Sequence, residues 1–93
     1  MAIRSFQKTV AAAGTALQVS TDTAKRVYLF RAYQGNGGTN MFIGNDGTDD
    51  VSTTTGMVLS KTDPPITLEC RLSEMYVDTD NNGDKLCVMQ VID

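Results

Sequence analysis

The stretch that decides the fold is Lys25–Tyr33, which reads KRVYLFRAY. Its β-branched and aromatic side chains are typical of a β-strand. Alternating positions place apolar residues on both faces of that strand, Val27 and Leu29 on one and Tyr28, Phe30 and Ala32 on the other. This two-sided apolar character predicts a strand that is covered on both faces, as in the interior of a sandwich or an oligomer.

A tight turn follows this strand. Gln34–Gly38 reads QGNGG, and its Asn-Gly and Gly-Gly pairs supply the positive φ angles that a tight hairpin turn requires. We therefore predict a hairpin in which Asn40–Gly44 is the returning strand. In the same way, Met75–Val77 and Lys85–Ile92 are predicted to pair around the turn at Asp80–Gly83.

The rest of the chain repeats this pattern of short apolar runs ended by turn residues. Further strands are predicted at Ile3–Val10, Thr15–Val19, Met57–Ser60 and Ile66–Leu72. No window keeps the apolar spacing of an amphipathic helix. Strands at roughly 8–12-residue spacing are typical of all-β folds, so we predict a small β-sandwich of about eight short antiparallel strands, either jelly-roll or immunoglobulin-like.

The chain begins with a segment that fits this sandwich poorly. Neither face of the first predicted strand is cleanly apolar, which suits an edge strand or an arm. We therefore predict an N-terminal arm over residues 1–13 and a single β-sandwich domain over residues 14–93. Ile3, Phe6 and Val10 are too apolar for a free tail, so we expect them to contact a neighbouring chain. Tyr33 is the fourth residue that we predict at an interface.

Charge is distributed unevenly along the 93 residues, whose net charge is −3. Residues 1–33 carry five basic side chains and one acidic, whereas residues 34–93 carry three basic and ten acidic. Either the two signs stay apart in the folded protein and orient its docking, or they mix on folding. The basic residues are scattered without interleaved aromatics, which argues against a nucleic-acid partner. No apolar run approaches the roughly 20 residues of a membrane helix, so no membrane partner is expected.

The residue types present offer little chemistry. The chain contains no histidine, the most common general base and transition-metal ligand. We therefore expect that the protein is not an enzyme and that it has no catalytic residue and no cofactor. Asp78–Gly83 reproduces the first half of a calcium-binding EF-hand loop, but Met89 stands where the closing Glu belongs. This departure predicts a hairpin turn and no metal site.

The two cysteines, Cys70 and Cys87, both lie in strand-like runs. They are either reduced thiols in the core or, if their strands pair in register, partners in a disulfide. The first residues lack the continuous apolar core of a signal peptide, which predicts synthesis in the cytoplasm and favours the reduced thiols.

The order of these structural marks resembles a family of small β-sandwich structural proteins of tailed bacteriophages, the capsid decoration (cement) proteins and their relatives on tails. The marks begin with Gly14–Val19, the basic pair before the Val27 strand and the Asn36-Gly37 turn. They continue with Ile43-Gly44, Gly56 with Leu59, and Met75–Val77 before the last turn. The chain departs from the family at Asp63–Pro65, where a glycine-rich segment is common.

The resemblance implies a virion protein that is made in the host cytoplasm, docks on the lattice of the major capsid protein and clamps neighbouring subunits. It also implies a homotrimer, which the apolar surface of Lys25–Tyr33 supports because one face of a small sandwich cannot bury all of it. Two alternatives remain open: a tail, neck or fibre component of the same fold, and a host-surface or carbohydrate-binding module.

Overall fold

A computed structural model describes residues 4–45 and 50–92 of the chain. Within these ranges the protein forms eight strands and one short 3-10 helix, Leu72–Glu74. The strands are β1 (Ser5–Val10), β2 (Leu17–Gln18), β3 (Lys25–Ala32), β4 (Asn40–Gly44), β5 (Met57–Ser60), β6 (Ile66–Arg71), β7 (Tyr76–Thr79) and β8 (Asp84–Ile92). All strand pairs are antiparallel. The predicted all-β sandwich is therefore confirmed.

The strands form two four-stranded sheets with the connectivity of a jelly roll. Sheet I has the order β1-β8-β3-β6, and sheet II has the order β2-β7-β4-β5. The first strand pairs with the last, the second with the seventh, the third with the sixth and the fourth with the fifth. This is the pattern of one long antiparallel hairpin rolled up into two packed sheets, so the connectivity selects the jelly-roll alternative over the immunoglobulin-like one.

Two connections that were predicted to be hairpins cross between the sheets instead. The turn after Tyr33 leads from β3 in sheet I to β4 in sheet II, and the turn at Asp80–Gly83 leads from β7 in sheet II to β8 in sheet I. The turns themselves are present, and Gly83 has a φ of 84°. The pairing predictions were wrong because turn residues determine how tightly the chain reverses, whereas the sheet that the next strand joins depends on longer-range packing.

The core lies between the inner faces of the two sheets. It includes Tyr28 and Phe30 of β3, whose ring centroids are 6.3 Å apart, and these residues point away from the half-buried Val27 and Leu29. The other buried members of the core include Met41, Ile43, Leu59, Val77, Leu86 and Val88. Strand β3 is thus fully covered on its inner face and partly covered on its outer face, rather than covered on both.

Within the N-terminal segment that was predicted to be an arm, Ser5–Val10 is a strand of the sandwich. Strand β1 pairs with β8 of the same chain from Ser5 opposite Met89 to Val10 opposite Asp84. Val10 is fully buried in the core, and Phe6 packs against it. Lys8 lies between these two residues on the same face, so one charged side chain concealed a regular apolar alternation.

Strand β1 lies at an edge of sheet I, and only one of its sides is paired within the described residues. Contact between this edge and a neighbouring chain therefore stays a prediction. Ile3, the first of the predicted interface residues, lies outside the described part of the chain.

The burial of Val10 generates a direct test. Val10→Ala should lower the free energy of unfolding by about 2 kcal/mol, because a fully buried valine loses most of its apolar contacts. Val58→Ala is the matched control, since Val58 is 46% exposed on the outer face of sheet II, and it should change stability by less than about 0.5 kcal/mol. Chemical denaturation of both variants measures the difference, and equal small effects would show that β1 is not part of the folded core.

Candidate interaction surface

The outer faces of the two sheets differ in how well they are covered. On sheet II, Phe42 points outward but is only 5% exposed, and Val51 of the following loop is 2% exposed. A Cβ on Gly44 would lie 2.6 Å from Val51 Cγ2, so this loop packs closely over β4. The outer face of sheet I has no comparable covering segment within the described residues.

The outer face of sheet I, which we call the sheet I face, has an apolar centre and a polar rim. One row across its four strands contains Ser5, Met89, Leu29 and Thr67. Met89 is 41% exposed and Leu29 is half-buried, so the apolar residues of this row occupy the two central strands. An apolar centre surrounded by polar side chains is the usual composition of a protein–protein interface.

A shallow trough runs across the sheet I face. Its volume is about 570 Å³, and its lining includes Phe6, Leu29, Arg31, Cys87 and Met89. Cys87 lies opposite Gln7 on one side and Arg31 on the other. The small thiol therefore lies between two longer side chains.

The basic residues of the protein are concentrated in the same sheet. Of the eight lysines and arginines in the chain, six lie in the strands of sheet I: Lys8, Lys25, Arg26, Arg31, Arg71 and Lys85. The strands of sheet II contain no basic residue, and their one acidic residue is Asp78. The basic residues are therefore collected in one sheet, whichever part of the sequence they come from, and the two interpretations of the charge pattern stay open.

Four of these basic residues belong to the rim of the sheet I face. Strand alternation directs Lys25, Arg31, Arg71 and Lys85 outward. Glu69, the one acidic residue on the same face of the strands, lies 3.9 Å from the Lys25 ammonium. Arg31 forms no ion pair within the described residues. The face is thus positively charged around its apolar centre.

Among the described residues of the predicted interface, the structure does not bring Phe6, Val10 and Tyr33 together on one surface. Val10 is in the core, and Phe6 points inward from β1 and contributes to the floor of the trough. Tyr33 is 39% exposed at the far end of β3, where the Lys85 ammonium lies 5.5 Å from its ring centroid. Sequence reasoning missed Leu29, Cys87 and Met89, although the alternation in β3 and β8 contained the signal.

A cluster around Asp84 holds the tight crossings at one end of the sandwich. Asp84 is 3% exposed and accepts hydrogen bonds from the amides of Gly37 and Gly38 at 3.0 and 3.1 Å. It also accepts from the Thr79 hydroxyl at 3.2 Å and the Asn81 amide at 3.0 Å. A Cβ on Gly38 would overlap the Asp80 carboxylate, so this close approach requires glycine.

The same carboxylate has a lowered pKa. Burial is the largest influence on the pKa of Asp84 and raises it, but the hydrogen bonds from Asn81, from the Gly38 and Gly37 amides and from Thr79 together outweigh burial. The pKa of Asp84 therefore lies below its ordinary value. Its ionised form is the one that the fold stabilises.

The Asn36 side chain forms further hydrogen bonds between the turn after β3 and β8. Its side-chain amide donates to the Lys85 carbonyl at 3.1 Å, and its side-chain carbonyl accepts from the Lys85 amide at 2.8 Å. Asn36 thereby continues the pairing of β3 with β8 beyond the end of β3. A hollow of about 290 Å³ lies here between the two turns, and the buried Asp84 and Asn36 side chains on its wall are satisfied by the chain itself.

Asp78 and Asp80 of the calcium-loop motif accept hydrogen bonds from different segments of the chain. Asp78 is fully buried, and its Oδ1 accepts from the amides of Gly14 at 3.0 Å and Thr79 at 2.7 Å. Asp80 instead accepts from the Asn40 amide at 3.3 Å. Among the described residues no three histidine, cysteine, aspartate or glutamate side chains converge as metal ligands. The segment is a turn between sheets, and the expectation that it binds no metal stays a prediction.

The two cysteines are free thiols on strands that do not pair. Cys70 is in β6 and Cys87 is in β8, and β3 lies between these strands, so this fold gives no disulfide within one chain. Cys70 points inward and packs against the core, and burial, together with the Glu74 carboxylate, raises its pKa. Cys87 is on the outer face, so the prediction of a core thiol was wrong for this residue.

Comparisons with models of known protein families, with curated proteins and with solved structures each find no match. In the part of the chain that the structure describes, no helix is long and apolar enough to cross a membrane. The fold, the sheet I face and the family resemblance are therefore the grounds on which a function can be proposed.

The Asp84 cluster predicts a specific dependence of stability on pH. A carboxylate whose pKa is lowered by folding stabilises the protein fully above its unfolded pKa and loses this contribution as the pH falls through the folded value. The free energy of unfolding should therefore decrease as the pH falls below about 4. Asp84→Asn should lower stability at pH 7 by about 2 kcal/mol or more, because charged hydrogen bonds are lost in a buried place, and should flatten the decrease in acid.

Asp63→Asn is the matched control for this substitution, because Asp63 is exposed and accepts one amide hydrogen bond from Ser60. Its stability should follow that of the unmodified protein at each pH in urea denaturation. If the free energy of unfolding of Asp84→Asn decreased in acid as steeply as that of the unmodified protein, Asp84 would not be the group responsible for the decrease.

Proposed function

We propose that the protein is a bacteriophage virion structural protein, specifically a capsid decoration (cement) protein that docks on the major capsid lattice and stabilises the shell. The single observation that carries this proposal is the sheet I face, where exposed apolar residues lie at the centre of a basic rim. The family resemblance, with its ordered strand and turn marks, supplies the class of particle. The jelly-roll fold is consistent with it, since viral capsid domains use this architecture.

Each copy of such a protein needs to contribute only a small binding energy. A small domain with one open face can contribute a modest contact energy, and many copies on a repeating lattice add these contacts through effective concentration. The basic rim orients the domain on an acidic surface and speeds its encounter, while the apolar centre provides most of the affinity. Self-association of the protein would multiply these contacts further.

The proposal assigns no reaction to this chain. Its most buried carboxylates, Asp84 and Asp78, are bound to backbone amides and hold turns in place. Groups that are already engaged in this way are poorly suited to exchange protons with a substrate. A structural role therefore accounts for the hydrogen bonds of Asp84 and of Asp78 Oδ1, whereas Asp78 Oδ2 has no hydrogen-bond partner among the described residues.

One observation favours a second candidate, a host-surface or carbohydrate-binding module. The 290 Å³ hollow between the turns is lined by Tyr33, Asn81 and Asn82 among other polar groups, and sugar sites combine amides with an aromatic ring. The ring is partly occupied, however. Lys85 lies over it, and a Cβ on Gly35 would lie 2.5 Å from Tyr33 Cε2. The decoration function is therefore the better supported of the two.

Removal and replacement of the protein test the function. Particles stripped of the protein should release their DNA at a lower temperature, and adding the protein back should restore the original value. Met89→Asp should fail to restore it, because a carboxylate replaces the apolar centre of the sheet I face. Val58→Asp should restore it, since Val58 has a similar exposure, 46% against 41% for Met89, but lies on sheet II.

Three results would contradict the proposal. If stripped particles kept their heat stability, the cement function would be ruled out. If they also failed to attach to cells, the host-binding module would be favoured. Labelled protein found on the tail rather than the shell would favour a tail, neck or fibre component.

A further inference from the structure

Strand β6 forms a free edge of sheet I. It pairs with β3 on one side, and no strand within the described residues pairs with its other side. The edge is six residues long, Ile66–Arg71, and contains no proline. Every second residue of such an edge presents an unpaired backbone amide and carbonyl, which is a template for a further strand.

The inner face of β6 extends beyond the covered core. Leu68 lies opposite Tyr28 in the ladder, yet Leu68 is 37% exposed whereas Tyr28 is 1% exposed. The reason is that β5, the edge strand of sheet II, packs against β3. The inner-face residues of β6 are therefore core-facing apolar side chains that one copy of the chain leaves partly uncovered.

We propose that β6 pairs with β6 of a second copy of this chain, antiparallel and about a twofold axis centred on Leu68. Sheet I then continues as one eight-stranded sheet across two copies, and the two exposed leucines cover each other. This contact does not depend on the proposed virion function.

Symmetry and charge determine the register. A twofold axis that pairs antiparallel strands keeps the inner faces of both sheets on the same side, so inner residues must oppose inner residues. With the axis at Leu68, the two leucines are opposite each other, Ile66 opposes Cys70, and Thr67 opposes Glu69. With the axis at Glu69, two carboxylates would oppose each other, which is destabilising. Axes at Thr67 or Cys70 leave fewer strand residues paired.

The other free edge of sheet I is less suited to this contact. Strand β1 carries Lys8 on its inner face, between Phe6 and Val10. An inward-pointing charge is one of the devices that protect an edge strand from pairing with another chain. The described residues of β6 have no such charge on the inner face, where Ile66, Leu68 and Cys70 are all apolar.

Cysteine crosslinking tests the register in the full chain. In a background of Cys70→Ser and Cys87→Ser, Leu68→Cys should form a disulfide-linked dimer under mild oxidation, because residues opposite each other have Cβ atoms about 5 Å apart. Glu69→Cys in the same background is the matched control. It should crosslink at least tenfold more slowly, since its symmetry mate is two positions out of register.

Light scattering of the unmodified protein at high micromolar concentration should give twice the 10.0 kDa mass of the chain. Leu68→Lys should return it to a monomer, whereas Val58→Lys, at an exposed apolar site on sheet II, should leave the dimer intact; far-UV circular dichroism checks the fold of each variant. A monomer, a trimer, or faster crosslinking at position 69 than at position 68 would overturn the proposal. Failure of shell stabilisation would leave it standing.

Discussion

The arrangement of the two sheets depends most on the hydrogen bonds that the buried Asp84 carboxylate accepts. This carboxylate binds the amides of the turn that follows β3 and, at the same time, the side chains of Thr79 at the end of β7 and of Asn81 in the turn after it. These are two of the places where the chain passes from one sheet to the other. Joining them places β3 and β8 in sheet I and β4 and β7 in sheet II, and hydrogen bonds offset the cost of burying the charge.

This arrangement leaves the two outer faces unequal. On the outer face of sheet II, Val51 packs closely against Gly44 of β4 and the outward-pointing Phe42 is buried. Sheet I keeps an apolar centre at Leu29 and Met89 and six basic side chains in its strands, and no further strand of the described residues pairs with either of its edges. Both proposals follow from this inequality, because a partner surface can cover the face and a second copy can cover the β6 edge.

The sequence predicted the strands well because their signals are local. The apolar alternation of Lys25–Tyr33 and the glycine-containing turns located each strand to within a few residues, but the 3-10 helix Leu72–Glu74 was not predicted and Leu72 was assigned to a strand. The sheet that each strand joins could not be predicted, since a turn such as Asp80–Gly83 has the same composition whether it closes a hairpin or crosses between sheets. Lys8 concealed the inward alternation of β1, and the outward position of Cys87 became evident only when the sheet of β8 was known.

The connectivity of the strands is the claim on which the account rests, and nuclear Overhauser contacts between backbone protons test it most directly. The account predicts cross-strand contacts between Phe6 and Val88, between Tyr28 and Leu68, and between Leu17 and Val77. It predicts no ladder between β7 and β8. Contacts that run from Thr79 and Asp84 outward to Val77 and Leu86 would show that these strands form a hairpin and would contradict the jelly roll.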